Sequence, residues 1–301
     1  MKIPYITAKD VSLNWPEMVA ALRAGHLGAR PEIGDQFLHR GDDVLLSRAA
    51  WIDGLGVAVK SVTVFPGHTP SVQGAMLLFD DKTGAVEAVI DSALVTRWKT
   101  VADSLLGAKI LARPDAKRLL VIGAGAVAEG LVAAYPVLFP ELEVEVWNRT
   151  AARAEALAAR TGVRAEADLP AAVARADIIA VATMSKTPVL KGEWLRAGQH
   201  VDLIGAFTAD MREADDAALQ QSRIFVDSVA TTVAHIGELM IPLASGAITR
   251  SDIHGDLYDL VHGATGRTGP EDITLFKNGG GAHLDLMVGR VILAAYRAQL
   301  T

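Results

Sequence analysis

Hydrophobic and polar positions follow two different rhythms on either side of Pro114. Before it, Pro16 suits the first turn of a helix over Trp15–Leu27 that Gly28 ends. The runs DDVLLSRAAW, GVAVKSVTVF, GAMLLFD and AVEAVID then read as strands. Asp53-Gly54 and Asp80-Asp81-Lys82-Thr83-Gly84 separate them, the second gap as a hairpin. No strand–helix–strand alternation interrupts these runs, which predicts an antiparallel or mixed sheet. Small residues and the spacing of Val95, Val101, Leu105 and Leu106 predict a helix from about Ser92 to Ala112.

After Pro114 the pattern alternates. RLLVIG is a strand, Ala126–Leu138 a helix, VEVWN a strand and Ala151–Thr161 a helix; DIIAVA, HVDLIG and RIFVDS follow as strands. Continuous Val, Ile and Leu runs between amphipathic helices predict a parallel sheet covered on both faces. A last helix over about Ala282–Gln299 follows Gly279-Gly280-Gly281 and is expected to return to the first domain. The chain thus reads as α/β. A smaller α+β domain (1–112, completed by 282–301) flanks a Rossmann-type doubly wound parallel sheet (113–281).

The segment LLVIGAGAVAEG places Gly123-Ala124-Gly125-Ala126-Val127-Ala128 between a strand and a helix, as GxGxxA. The first glycine permits a tight turn, the second lets backbone approach a pyrophosphate, and the small third position allows close helix–strand packing. The helix N-terminus then offers free N–H groups and a positive dipole end to phosphates. The next strand ends in Asn148-Arg149-Thr150, where an NAD site would usually carry a carboxylate for the ribose 2′-hydroxyl. A guanidinium and a hydroxyl suit a 2′-phosphate instead, so the expected cofactor is NADP(H).

Composition narrows the partners. The chain has 301 residues, half of them hydrophobic, and a net charge of -6, which disfavours nucleic acid and anionic membranes. The absence of cysteine removes disulfides, thiolate metal sites and cysteine nucleophiles, and fits a reducing cytoplasm. The eight histidines show no metal-ligand spacing, and no signal peptide or membrane span is visible.

Several segments together resemble the ornithine cyclodeaminase/mu-crystallin family: LLSRAAW, VKSVTVFPGH, SVQGAMLLFD, TRWKTVADSLLGAKILARP, VIGAGAVA, VWNRT, GAFTADMREADD and ITLFKNGGGA. The nearest likeness is to its imine reductases. The resemblance implies an N-terminal domain that forms the substrate site and a homodimer interface, with substrate in a cleft facing the nicotinamide of the Rossmann domain. It implies substrate-binding roles for Arg48, Lys60, Gln73 and Lys99, with Lys60 catalytic. Its cofactor set adds Thr100, Ala182, Thr183, Met184 and Gly205 to Gly123, Ala124, Gly125, Ala126, Val127, Asn148, Arg149 and Thr150. No metal is implied.

Two departures stand out. Lys99 occupies the place of an arginine in the family's RTAA segment, keeping the charge and losing the bidentate fork; Arg97 belongs to another helix face. Phe207 occupies the place of the cyclodeaminases' aspartate, with Asp210 three residues on. The expected reaction is NADPH-dependent reduction of a cyclic imino acid, Δ1-pyrroline-2-carboxylate being the best single substrate. The alternatives are cyclodeamination or amino-acid dehydrogenation with NAD, and an NADPH-gated binding protein with little turnover.

Overall fold

A computed structural model describes the protein from Ile3 to Leu300. The chain divides into two compact units, residues 1–102 with 281–301, and residues 103–280. The division falls inside a continuous helix, α2 (Ser92–Leu111), rather than at its end.

The first unit is built on a six-stranded mixed sheet of β1 (Tyr5–Ile6), β2 (Glu32–Arg40), β3 (Asp43–Ile52), β4 (Gly56–Val64), β5 (Val72–Phe79) and β6 (Val86–Asp91). Their spatial order is β1-β6-β5-β4-β3-β2, with β1 parallel to β6 and the other pairs antiparallel. Strand β2 was not expected from the sequence. EIGDQFLHR has no apolar alternation, and nearly all of it is exposed. Alternation elsewhere is clear: Ala58, Val62, Met76, Leu78, Ala88 and Ile90 are buried on one face. The C-terminal helix (Ala282–Ala298) packs against β3, β4 and β5 on the sheet and against α1 (Trp15–Leu27). Asn14 caps α1, its Oδ1 accepting from the Glu17 N–H at 2.9 Å, and Pro16 sits in the first turn, where its missing N–H costs nothing.

The second unit holds eight parallel strands: β7 (Arg118–Ile122), β8 (Glu143–Trp147), β9 (Arg164–Ala165), β10 (Ile178–Val181), β11 (His200–Leu203), β12 (Ser222–Val226), β13 (Ile253–Asp256) and β14 (Ile273–Lys277). The order is β13-β12-β14-β11-β10-β7-β8-β9. It reverses direction between β7 and β10, the switch point at which doubly wound sheets bind ligands. Every residue of β10, β11 and β14 is buried; β10 is apolar throughout, whereas β11 and β14 also bury His200, Asp202, Thr274 and Lys277. ITLFK, read from the sequence only as part of a family segment, is the central strand β14 between β11 and β12. No helix among the described residues is long and apolar enough to cross a membrane.

Candidate active site

Strand register builds the first unit's polar centre. Asp35, Arg48, Lys60, Met76 and Ile90 lie side by side across β2, β3, β4, β5 and β6. One row of a single sheet face therefore runs from charged to apolar. Arg48 Nη2 donates to Asp35 Oδ2 at 2.6 Å. Lys60, in the buried phase of β4 between Ala58 and Val62, is only 5% exposed. Its Nζ donates to Asp285 Oδ1, from the first turn of the C-terminal helix, at 2.7 Å. Lys99 of α2 brings its Nζ to the same oxygen at 2.9 Å and is 4% exposed. Two ammonium groups thus share one carboxylate oxygen, while Asp285 Oδ2 is buried and accepts no hydrogen bond from the described residues.

Burial of two cations against one anion has electrostatic consequences. Desolvation pushes the Lys99 ammonium down to about 7, with the Lys60 and Arg48 charges adding to the effect and Asp285 opposing it. Burial works against the Asp285 carboxylate, but Lys60, Lys99 and Arg48 outweigh it and hold the group below its ordinary range. His283, two residues before Asp285, is kept neutral mainly by burial, with His26 and Lys99 contributing. The two histidine rings meet edge to face at 5.4 Å.

Gln73 does not join this group. It is exposed on β5 opposite Thr63, in the alternate phase to Met76 and so on the other side of the sheet from Lys60. Arg97 is exposed, and Thr100 is half-buried one position after Lys99.

The nucleotide turn occupies the switch point of the second unit. Gly123 follows β7 with φ +131°, and a Cβ there would stand 2.4 Å from the Ala182 carbonyl oxygen. Both backbone shape and close approach therefore require glycine. A Cβ on Gly125 would meet nothing within 4 Å, and α3 (Ala126–Leu138) starts there with no side chain capping its N-terminus. The free N–H groups of Ala126, Val127 and their neighbours suit a phosphate. At the end of β8 the Asn148 amide donates to the Thr150 carbonyl at 3.0 Å, while Arg149 and Thr150 are exposed. No carboxylate stands in that turn. These residues fit a dinucleotide.

Glu213 was missed by sequence reading, yet it organises the neighbouring loops. Its Oε1 accepts the Thr183 N–H at 2.7 Å and the Thr183 hydroxyl at 2.8 Å. Its Oε2 accepts from the Gly205 and Ala206 N–H groups at 2.6 and 3.2 Å. Glu238 in turn accepts the backbone N–H groups of Glu213 and Ala214. Between these loops Met184 and Phe207 are well exposed. Asp210 is held by Lys186 at 2.6 Å and by the Thr208 hydroxyl at 2.6 Å. Asp285 was missed as well: an acid in a first helical turn is commonplace, and only the fold shows that both lysines converge on it.

The sequence model of the ornithine cyclodeaminase/mu-crystallin family matches residues 31–299. A Δ1-pyrroline-2-carboxylate reductase from Paracoccus denitrificans is 53% identical over 93% of this chain and 92% of its own. The ketimine reductase mu-crystallin of Mus musculus is 34% identical over 78% of this chain and 75% of its own. Among solved structures, Thermococcus litoralis Δ1-pyrroline-2-carboxylate reductase in complex with NADH and L-proline superposes with a TM-score of 0.90 at 26% identity, covering 99% of this chain and 98% of its own. An archaeal alanine dehydrogenase dimer with bound NAD gives a TM-score of 0.92 at 26% identity, covering 100% and 98%. With nearly its whole length matched, the chain belongs to the ornithine cyclodeaminase/mu-crystallin family.

Proposed function

We propose that this protein reduces a cyclic imino acid, Δ1-pyrroline-2-carboxylate, to the corresponding amino acid with NADPH. The observation that carries the reading is the pair of buried lysines sharing one oxygen of Asp285. Two buried lysine side chains drawn to one carboxylate oxygen offer a substrate carboxylate a place beside them. Lys60, as the catalytic residue, and Lys99 hold that carboxylate, and Arg48 in the next strand adds to the field. The chain's work is then orientation, exclusion of water and provision of a proton. A bound nicotinamide supplies the hydride. Gly123, Gly125, Ala126 and Val127 would hold its pyrophosphate, with Arg149 and Thr150 at the 2′-phosphate.

The names of the relatives support the reaction, and Arg149 in place of a carboxylate supports the coenzyme. The assay is steady-state NADPH oxidation with a panel of cyclic imines, with L-ornithine and either oxidised coenzyme as the control. Clear turnover of Δ1-pyrroline-2-carboxylate is expected. No ammonia release from L-ornithine is expected, since Phe207 has no titratable group and Asp210 is engaged by Lys186 and Thr208. NADPH binding without turnover on any imine would make the protein a binder instead.

The same reading includes a homodimer. The face of the first sheet turned away from the C-terminal helix carries Trp51 and Leu77, both exposed, alongside half-buried Leu45, Val57, Val59 and Val89. A second copy of this chain would cover that apolar face.

A further inference from the structure

Two loops leave the carboxyl ends of β10 and β11, and their backbone donors converge. The last bonds of the sheet ladder run from the Ala182 N–H to the Ile122 carbonyl and from the Ile204 N–H to the Val181 carbonyl, both at 2.8 Å. Beyond the ladder, each further N–H needs another acceptor. Thr183 and Gly205 both turn theirs to one side chain, Glu213, at 2.7 and 2.6 Å. The Thr183 hydroxyl and the Ala206 N–H complete the set at 2.8 and 3.2 Å, and Glu213 is fully buried. All four partners are donors, which suits an ionised carboxylate rather than an acid with an O–H of its own. The main chain of Glu213 fastens the far end of the first loop, its carbonyl accepting from Val189 and Leu190 at 2.7 and 2.9 Å. The two loops also lie backbone to backbone, since a Cβ on Gly205 would stand 1.7 Å from the Thr183 carbonyl oxygen.

We propose that Glu213 is a positioning residue for the nicotinamide half of the coenzyme: its carboxylate sets the loops after β10 and β11 so that together they hold that half. The inference rests on the reading of the protein as a nicotinamide-dependent imine reductase.

Topology decides which half the loops receive. Strand β7 lies between β8 and β10. A pyrophosphate at the glycine turn after β7 leaves one half of a dinucleotide over the end of β8 and the other over the end of β10. Asn148, Arg149 and Thr150 at the end of β8 suit the adenosine half, so the nicotinamide half falls to the loops that Glu213 fastens. The residues directly after the fastened Thr183 and Ala206 are Met184 and Phe207, 73% and 55% exposed. Large apolar side chains left open on two anchored loops give an apolar ring a surface to cover. A carboxylate beneath them fixes that surface before the ligand arrives, which is how a positioning group contributes to binding.

The test uses the whole protein and pairs each reduced coenzyme with its truncated form lacking the nicotinamide: NADPH with 2′-phospho-ADP-ribose, NADH with ADP-ribose. Burial raises the Glu213 carboxyl, so calorimetric titrations are run at about pH 8, where the form that four donors fit is favoured. Glu213→Gln keeps the shape but turns an amide N–H₂ toward donors. It should weaken the coenzyme that wild type prefers by about 10–100-fold and the truncated form by less than about threefold. In turnover, KM for the coenzyme should rise in step, while kcat stays within about threefold at saturation, because bound coenzyme restores the loops. Glu213→Asp keeps the charge on a shorter arm and should lose only about three- to tenfold on the same comparison. It also carries the test if Glu213→Gln does not fold. Equal losses for the coenzyme and its truncated form would show that Glu213 only holds the unit together, and would overturn the proposal. So would a folded Glu213→Gln that binds the coenzyme as tightly as wild type. Wild type that binds a coenzyme and reduces no imine would end imine reduction, while the paired titrations still decide the role of Glu213. Wild type that binds neither coenzyme would remove both readings.

Discussion

The two units each bury a pair of like titratable groups, and the signs are inverted. In the first, Lys60 and Lys99 share the single carboxylate of Asp285. In the second, the carboxylates of Glu213 and Glu238 lie in the field of Lys277, whose Nζ donates to the Leu203 carbonyl at 2.9 Å, and Glu238 also in that of Arg212. Hydrogen bonding is what separates them. The two carboxyl groups of the second cluster accept backbone N–H groups from Thr183, Gly205, Ala206, Glu213 and Ala214. In the first cluster both Nζ atoms reach the same oxygen, Asp285 Oδ1. A buried charge hydrogen-bonded to several backbone groups ties loops together; two like charges drawn to one oxygen form a place that an anion can complete.

That contrast breaks most visibly if the residues are exchanged between roles. Lys60→Ala should lower kcat/KM for the imine by about 10³-fold or more, within the range for removal of a group essential to proton and charge handling. NADPH affinity should hold, and thermal stability should change little, because Asp285 keeps Lys99 as its partner. Near wild-type kcat/KM on every imine would end the catalytic role of Lys60. Glu213→Ala should do the converse. It leaves the N–H groups of Thr183, Gly205 and Ala206 and the Thr183 hydroxyl without their acceptor. At ~1–3 kcal/mol for each buried orphan, the loss is on the order of 5 kcal/mol of stability. Denaturant unfolding measures it, and a loss below ~1 kcal/mol would show that these loops do not depend on the carboxylate.

The two clusters were unequally legible. Lys60 and Lys99 can be picked out locally, the first because a lysine interrupts VAVKSVTVF and the second because it replaces an expected arginine. The glycine turn is legible for the same reason: its residue types are dictated by backbone geometry within six positions. Asp285 lies 225 residues from Lys60, and nothing in AHLDLMVGR distinguishes it from an acid that favours a helix N-terminus. Glu213 and Glu238 sit in segments whose roles appear only once β10, β11 and β14 are adjacent. The insertion of β14 between β11 and β12 is itself a long-range event that periodicity does not encode. Strand β2 is invisible for the opposite reason, since an exposed strand needs no apolar alternation.

A third buried charge sharpens the comparison through pH. Asp202 on β11 is fully buried; the Tyr135 hydroxyl donates to it at 3.4 Å, and Lys277 and Ser104 are nearby. Burial raises its carboxyl to about 7, against those neighbours, from an ordinary 3.8. Between these values the unfolded chain has released the proton that the folded chain still holds, so stability falls as pH rises across the window. Above about 7 both states are ionised and the whole cost is present. At roughly 1.4 kcal/mol per pH unit it reaches on the order of 4 kcal/mol as a ceiling. Asp202→Asn keeps an acceptor for Tyr135 and removes the titration. It should therefore be more stable than wild type at pH 8, with the gap closing toward pH 4. An equal gap at both pH values would mean that Asp202 does not titrate in this window.

The smallest expected effect belongs to an exposed charge, and its size is part of the contrast. Arg149 lies in the turn after β8, beside the glycine turn, where solvent screens it in a way that Lys60 and Lys99 escape. Its proposed contact is with the 2′-phosphate alone. Arg149→Asp should therefore weaken NADPH by about 10–100-fold, or roughly 1.4–2.8 kcal/mol, through loss of an attraction and gain of a repulsion. NADH has no group at that position for the arginine to meet, so its affinity should stay within a few-fold, and the new carboxylate can accept from the ribose hydroxyl. Because the charge is exposed, the discrimination of wild type for NADPH should shrink as salt rises from 0.05 to 0.5 M. The orientation supplied by the buried lysines should respond much less. Binding titrations of both coenzymes at two ionic strengths measure all of this. Equal loss for NADPH and NADH would show that Arg149 acts on the turn rather than on the phosphate. A salt-independent preference for NADPH would place the discriminating group elsewhere.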